Sequence, residues 1–192
     1  LNYDGRQDIF VVNGHVINNI HLFNKDYTHA QKKQIFLGND FGSFVELTTE
    51  EIGDAGNPSV GRGAAFGDLD NDGDIDIVIS NNNSQANLLI RSGTPNANWI
   101  GFSLVGTKSN RDAIGARVII ETSEKIQTKY VNTAGSYLAS NDKRLLVGLG
   151  DNSIVKTITI QWPNGQSNVY SDLKSKRYYQ IIEGDGISEY HY

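Results

Sequence analysis

Short apolar runs, each about the length of a single strand, recur along the whole chain. In the first half they are "DIFVVN" (8–13), "QIFLG" (34–38), "SFVELT" (43–48), "RGAAFG" (62–67), "DIVIS" (76–80) and "NLLIR" (87–91). In the second half they are "WIGFSLVG" (99–106), "ARVIIET" (116–122), "IQTKYVNT" (126–133), "RLLVGLG" (144–150), "VKTITIQW" (155–162) and "YYQIIEG" (178–184). Gly, Asn, Asp, Ser or Pro punctuates the gaps, so the runs predict β-strands joined by turns. No 3.6-residue apolar period survives the density of Gly and Asn, and long helices are not expected. In "VKTITIQW" the alternation sets Val155, Thr157, Thr159 and Gln161 on one face and Lys156, Ile158, Ile160 and Trp162 on the other. That pattern predicts an antiparallel sheet with one buried face. About six strands after Trp99 favour a small antiparallel β-sandwich, and "WPNG" (162–165) reads as a Pro-led turn with Asn-Gly supplying positive φ.

The first half repeats itself. "NYDGRQDIFVVN" (2–13) lies on "DNDGDIDIVISN" (70–81) at a constant offset of 68, matching Asn2 with Asp70, Asp4 with Asp72, Gly5 with Gly73, and Asp8 with Asp76. "QIFLGND" (34–40) follows "NLLIRSG" (87–93) at an offset of 53, which puts about 15 extra residues into the first copy within 14–33. Units of a few short strands that repeat in this way are expected to be propeller blades. The chain opens inside the first unit, so it is expected to be the C-terminal portion of a longer protein. Two blades cannot close a ring, which leaves sheet edges for other blades or another chain to cover.

The stretch "GDLDNDGDID" (67–76) sets Asp68, Asp70, Asp72, Asp74 and Asp76 at alternate positions directly before a strand. Carboxylates packed this closely repel unless a cation sits among them. The D-x-D-x-D-G-x-x-D spacing suits Ca²⁺, a hard ion that takes about six to eight oxygen ligands. Asp68, Asp70 and Asp72 are expected to point inward, and Gly73 to permit the sharp turn. Asp74 is expected to offer its backbone carbonyl, its own carboxylate turned to solvent, and Asp76 to close the shell. An EF-hand differs, with its last acidic ligand at position twelve and a helix following. The first copy offers a second, weaker set in Asn2, Asp4, Asp8 and the Arg6 carbonyl. Mg²⁺ fits less well because it keeps several waters, and a solvated acidic turn is the alternative for both loops.

Composition narrows the function classes. The formal net charge is −5 and the Lys and Arg residues form no stripe, so nucleic acid is not an expected partner. There is no cysteine, which excludes disulfides and thiol chemistry. No apolar run approaches the ~20 residues of a membrane span. The histidines, His15, His21, His29 and His191, stand near no serine motif, and three of them fall in or beside the insertion of the first copy. Glu50, Glu51 and Asp54 offer paired carboxylates, but "TTEEIGDAG" reads as an ordinary loop.

The aspartate loop, the "FGD" before it and the strand after it resemble the FG-GAP/VCBS calcium-binding repeats of integrin α-type propellers. "SNRDAIGARVII" (109–120), "AGSYLASNDKRLLVGLG" (134–150) and "ITIQWPNGQ" (158–166) resemble the ASPIC/UnbV domain. The combination is similar to the cartilage acidic protein-like family. It implies an all-β chain: the terminal blades of an integrin α-like β-propeller at 1–95, a β-sandwich at 96–184 and a tail at 185–192. It further implies a secreted location, extracellular or periplasmic, and calcium as cofactor, without supplying an established activity.

A ligand surface is expected where "NRDAIGAR" and "GSYLASNDKR" meet. Asn110, Arg111, Tyr137, Asn141, Asp142 and Arg144 could bind a sugar or a carboxylate, Tyr137 as a stacking surface and the arginines as planar donors. The plainer alternative has Asn and Asp capping turns, Arg paired with Asp, and Tyr137 in the core. The leading functional expectation is a non-enzymatic adhesion or recognition module for a glycan or protein. A filament subunit that self-associates through open sheet edges, and an enzyme scaffold with an inter-domain pocket, are the alternatives.

Overall fold

A computed structural model of the chain describes residues 1–90 and 97–190. The repeat residues 91–93, the expected domain boundary at 95/96 and His191 lie outside the described residues. Strands β1 (Ile9–Val11), β2 (Gln34–Gly38) and β3 (Phe44–Glu46) form one antiparallel sheet in the order β1-β2-β3. Strands β4 (Gly61–Gly67), β5 (Asp76–Asn81) and β6 (Asn87–Leu89) form a second in the order β4-β5-β6. The repeat holds at the level of register. Ile9 faces Phe36 in the first sheet, and Ile77 faces Leu89 in the second, as the two offsets require. The loops before β1 and β5 also share a backbone conformation, with φ of 62° at both Tyr3 and Asn71. These are blade-like sheets.

The remaining strands are β7 (Asn98–Val105), β8 (Arg117–Glu121), β9 (Ile126–Tyr130), β10 (Leu145–Gly150), β11 (Ile154–Gln161), β12 (Ser167–Lys174), β13 (Arg177–Ile182) and β14 (Gly186–Tyr190). They make two four-stranded sheets, β10-β7-β13-β14 and β12-β11-β8-β9. Between them lies one core to which Ile100, Phe102 and Ile181 contribute from the first sheet, and Val118, Ile120, Ile158 and Ile160 from the second. Alternation along each strand buries these side chains and leaves their neighbours outside.

Several expectations need correction. Among the described residues there are eight strands here, not about six. β12 escaped because most of its residues are exposed, so no apolar run marks it. Residues 186–190, expected as part of a tail, pair with β13 as β14, and Ile187 packs on the core. The sandwich is antiparallel apart from β13, which runs parallel to β7 because the chain reaches it only after crossing the opposite sheet. In β11, Val155 is buried together with Ile158, Ile160 and Trp162, so the inner face changes between Val155 and Ile158. Asp172, with φ of 58°, lies between the β12 partners of Val155 and Thr157, and this local twist brings Val155 inward beside Leu173.

The sandwich packs against the blades through the outer face of its β7-containing sheet. A Cβ at Gly148 would stand 2.5 Å from the Tyr3 Cα, so only glycine permits this approach. The Gly150 amide then donates to the Tyr3 carbonyl at 2.9 Å. The segment 136–142 runs along the free edge of β4. Ser136 Oγ accepts from the Ala64 amide (3.0 Å), Asn141 Oδ1 accepts from the Phe66 amide (3.1 Å), and the Asp142 amide donates to the Phe66 carbonyl (2.9 Å). A sheet edge that would otherwise present unpaired groups is thereby covered.

Glu183, at the end of β13, ties the sandwich loops together. Its carboxylate accepts from the amides of Thr107, Lys108 and Ser109, from the Ser109 hydroxyl, and from the Asn164 side-chain amide. Burial alone would raise its pKa, but the donated hydrogen bonds overrule it and hold the carboxyl at about 2, against 4.5 ordinarily. A folded-state pKa below the unfolded value stabilises the fold above the unfolded pKa and loses that contribution as pH falls through the folded one. Glu183→Gln is therefore expected to lower the urea midpoint by a constant amount from pH 7 down to about pH 5. The deficit should shrink progressively as pH falls from 4.5 towards 2. A deficit independent of pH across that window would contradict an ionised Glu183.

Candidate metal centre

The loop 68–76 joins β4 to β5, and Asx-type hydrogen bonds set its shape. The Asp72 amide donates to Asp68 Oδ1 (3.1 Å) and Asp70 Oδ1 (3.3 Å), the Gly73 amide to Asp68 Oδ2 (2.9 Å), and the Asp74 amide to Asp72 Oδ1 (2.8 Å). The Leu69 amide donates to Asp76 Oδ2 at 2.7 Å. Folding the chain back in this way brings carboxylate oxygens of Asp68, Asp70 and Asp76 within 4.8 Å of one another. Asp68 and Asp76 are 2% and 1% exposed, whereas Asp70 opens to solvent. Three converging carboxylates, two of them buried, form an all-oxygen donor set that fits a hard divalent cation.

Not every predicted ligand joins the cluster. Asp72 is exposed and its Oδ1 accepts the Asp74 amide. Asp74 is 3% exposed, so its carboxylate does not turn to solvent as expected. At the neighbouring residue the sandwich closes over the loop and lays the Trp99 ring on Gly73. Gly73 has φ of +91°, and a Cβ there would fall 1.9 Å from the indole.

The first copy has the same backbone and a different chemistry. The Asp4 amide donates to Asn2 Oδ1 (3.3 Å) and the Arg6 amide to Asp4 Oδ1 (2.7 Å), reproducing the corresponding bonds at Asp72 and Asp74. The Arg6 guanidinium, however, sits 2.8 Å from Asp4 Oδ2 and also reaches Asp40. Burial pushes the Asp4 pKa up, but bonds from the Arg6 amide and Asn2 and the Arg6 charge hold it below the ordinary value. Asp8 accepts the Gly38 amide (3.0 Å). Lys125 Nζ donates to the Asp4 carbonyl, placing an ammonium against this loop. Among the described residues, Asn2, Asp4, Arg6 and Asp8 are not drawn into a converging acidic group of the kind formed at 68–76.

The sandwich contributes side chains to the second loop that the sequence did not advertise. The Tyr178 hydroxyl donates to Asp68 Oδ2 at 2.6 Å. Burial raises the Tyr178 pKa strongly and the Asp68 carboxylate adds to it, so the phenol stays protonated as a donor. Burial raises the pKa of Asp68, and the Tyr178 and Gly73 hydrogen bonds oppose it. Arg144 donates to the Asp68 carbonyl and to Asn71 Oδ1 (2.7 Å), pairs with Asp142, and lies 5.1 Å from the Tyr178 ring centroid. Tyr178 packs on Trp99 with centroids 5.2 Å apart. Only alternation along "RYYQII" hints at Tyr178, by setting it on the face opposite Tyr179.

The expected ligand surface divides. Asn110 is structural, exchanging hydrogen bonds with Ile114 in both directions at 2.8 Å. Asn141 is committed to the Phe66 amide. Tyr137 is 65% exposed, outside the core. Arg111 and Asp112 do meet Asp142, Lys143 and Arg144 in a groove of about 350 Å³, where Lys143 pairs with Asp112. A smaller cavity of about 210 Å³, bordered by Asp68, Tyr130, Asn132, Arg144 and Tyr178, lies between the blade and the sandwich. Glu51 accepts the amide and hydroxyl of Thr48, a turn cap. His15 Nδ1 accepts the Ile17 amide, and the acidic group at 68–76 contains no histidine.

Two blade-like sheets, an acidic loop between strands and a docked sandwich define a repeat-blade β protein with an appended module. The chain carries an FG-GAP-like repeat and an ASPIC/UnbV domain: the FG-GAP-like repeat model matches residues 1–79 and the ASPIC and UnbV model residues 106–188. No curated protein matches the chain significantly. FG-GAP repeat proteins are typically extracellular, and no helix among the described residues is long and apolar enough to cross a membrane.

Replacing Gly73 by Ala forces a left-handed φ on a Cβ-bearing residue and drives that Cβ into Trp99. The expected loss is about 2–4 kcal/mol of unfolding free energy, read from urea denaturation. A loss under about 0.5 kcal/mol, the scale of an ordinary surface change, would mean that Trp99 is not seated on the loop.

Proposed function

We propose that the chain is an extracellular, non-catalytic recognition module in which calcium at Asp68, Asp70 and Asp76 stiffens the blade that carries the sandwich. The supporting observation is the convergence of three carboxylates, two of them buried, in a loop against which the sandwich packs. Buried like charges destabilise a fold until a cation neutralises them. The ion bridges the end of β4 to the start of β5 and acts as a strut. The recognition surface is the groove of Arg111, Asp112, Asp142, Lys143 and Arg144, whose mixed charge suits a polar glycan or a protein loop.

A second reading, self-association, draws on the outer strands. β3 and β6 are the last strands of their sheets, and Phe44, Val45 and Leu88 on them are 47%, 58% and 56% exposed. Strand addition by a second copy would cover them.

Ca²⁺ is expected to raise the melting temperature saturably, stabilising the fold by about 2.7 kcal/mol at one hundred times its Kd, with chelator reversing the shift. Asp76→Ala should abolish the response, while Asp4→Ala should leave the calcium-dependent part intact. A melting temperature indifferent to both calcium and chelator would overturn the metal reading. Sedimentation under the same two conditions separates a monomer from an assembly.

A further inference from the structure

We propose that the sandwich completes the metal centre: Tyr178 is a positioning residue for the ligand Asp68, and metal binding and the seating of the sandwich on the blade are one coupled equilibrium. The inference rests on the metal reading above and extends it to a residue outside the acidic loop. Tyr178 belongs to β13, more than one hundred residues along the chain from Asp68, yet its hydroxyl meets Asp68 Oδ2 at 2.6 Å with both residues buried. A carboxylate with one oxygen fixed by a phenol and the Gly73 amide has lost the rotational freedom that a ligand must otherwise surrender on binding.

The contacts around that bond all cross the same junction. Arg144 grips the loop backbone at Asp68 and the Asn71 side chain, and Trp99 holds both the Tyr178 ring and Gly73. Beside them, the Asp142 amide donates to the Phe66 carbonyl on β4, the strand that leads into the loop. An ion that orders loop 68–76 thereby orders the surface on which the sandwich sits. Reciprocity follows from linkage: whatever seats the sandwich raises metal affinity by the same factor.

The test uses the full chain with Ca²⁺ as the probe. Tyr178→Phe keeps the ring and removes only the donor. Isothermal calorimetry is expected to show 10- to 100-fold weaker Ca²⁺ binding for this variant, in line with losses at groups that orient metal ligands. Glu183→Gln, whose hydrogen-bond partners all lie within the sandwich, serves as a control destabilised away from the junction and should bind Ca²⁺ as the wild type does. In the wild type, hydrogen exchange at the Asp142 and Gly150 amides, both bonded across the junction, should slow when Ca²⁺ is added. This readout stands even where the variant folds poorly. Wild-type affinity in Tyr178→Phe, or exchange at those amides unmoved by Ca²⁺, overturns the coupling while leaving the metal site intact. A wild-type chain that binds no Ca²⁺ fails the metal reading itself.

Discussion

The hydrogen bond between the Tyr178 hydroxyl and Asp68 joins two problems that the chain must solve together. A buried carboxylate needs partners or it costs several kcal/mol, and a glycine-lined sheet face needs something to cover it. Asp68 meets the first need partly through its own loop, by way of the Asp72 and Gly73 amides. The remaining donor comes from the other half of the molecule. Trp99, Arg144 and the 136–142 segment then fit around that contact, and each would lose its contacts with the blade if the two halves separated.

The two copies of the repeat show how little of an acidic cluster lies in the backbone. Tyr3 and Asn71 share a φ of 62°, and the Asx bonds at Asp4 repeat those at Asp72. Chemistry separates them. Where the second copy has Asp74, the first has Arg6, whose guanidinium lies on Asp4. Lys125 adds an ammonium at the Asp4 carbonyl, and Lys129 lies close enough to Asp8 to feel its charge, with burial lowering the lysine pKa against that pull. Side-chain cations thus supply positive charge at one loop. At the other, three carboxylates converge with Arg144 engaging the loop backbone, an all-oxygen set that fits a hard divalent cation.

The sandwich meets the blades by different means along its face. Near Tyr3 the approach is steric, since glycine at 148 lets backbone touch backbone. Along β4 it is polar: Ser136 and Asn141 act as acceptors and the Asp142 amide as a donor, in the manner of an added strand. This explains why a stretch as polar as "GSYLASNDKR", which invites reading as a ligand loop, spends two of its side chains, Ser136 and Asn141, on the neighbouring sheet. The groove that remains open lies one step along, where Arg111 and Asp112 meet Lys143.

Local signals were enough for much of this molecule. Period-two runs with Gly and Asn between them encode most strands, because alternation and turn chemistry act over a few residues. The repeat offsets anticipated the register of β1 on β2 and of β5 on β6, and the aspartate spacing located the acidic loop. What needed tertiary structure had no local signature. β12 and β14 carry too few buried residues to alternate visibly, and β13 joins β7 in parallel only through a long crossing connection. Gly73 is covered because Trp99 closes on it from the other half of the chain, and Asn141 turns from ligand candidate to edge cap when β4 arrives beside it. Tyr178 in the sequence is one aromatic of a "YY" pair, and only folding brings its hydroxyl to a carboxylate in the other half of the chain. Spacing along the chain specifies which groups can share a loop; the company that loop keeps is decided by packing, over distances no sequence window spans.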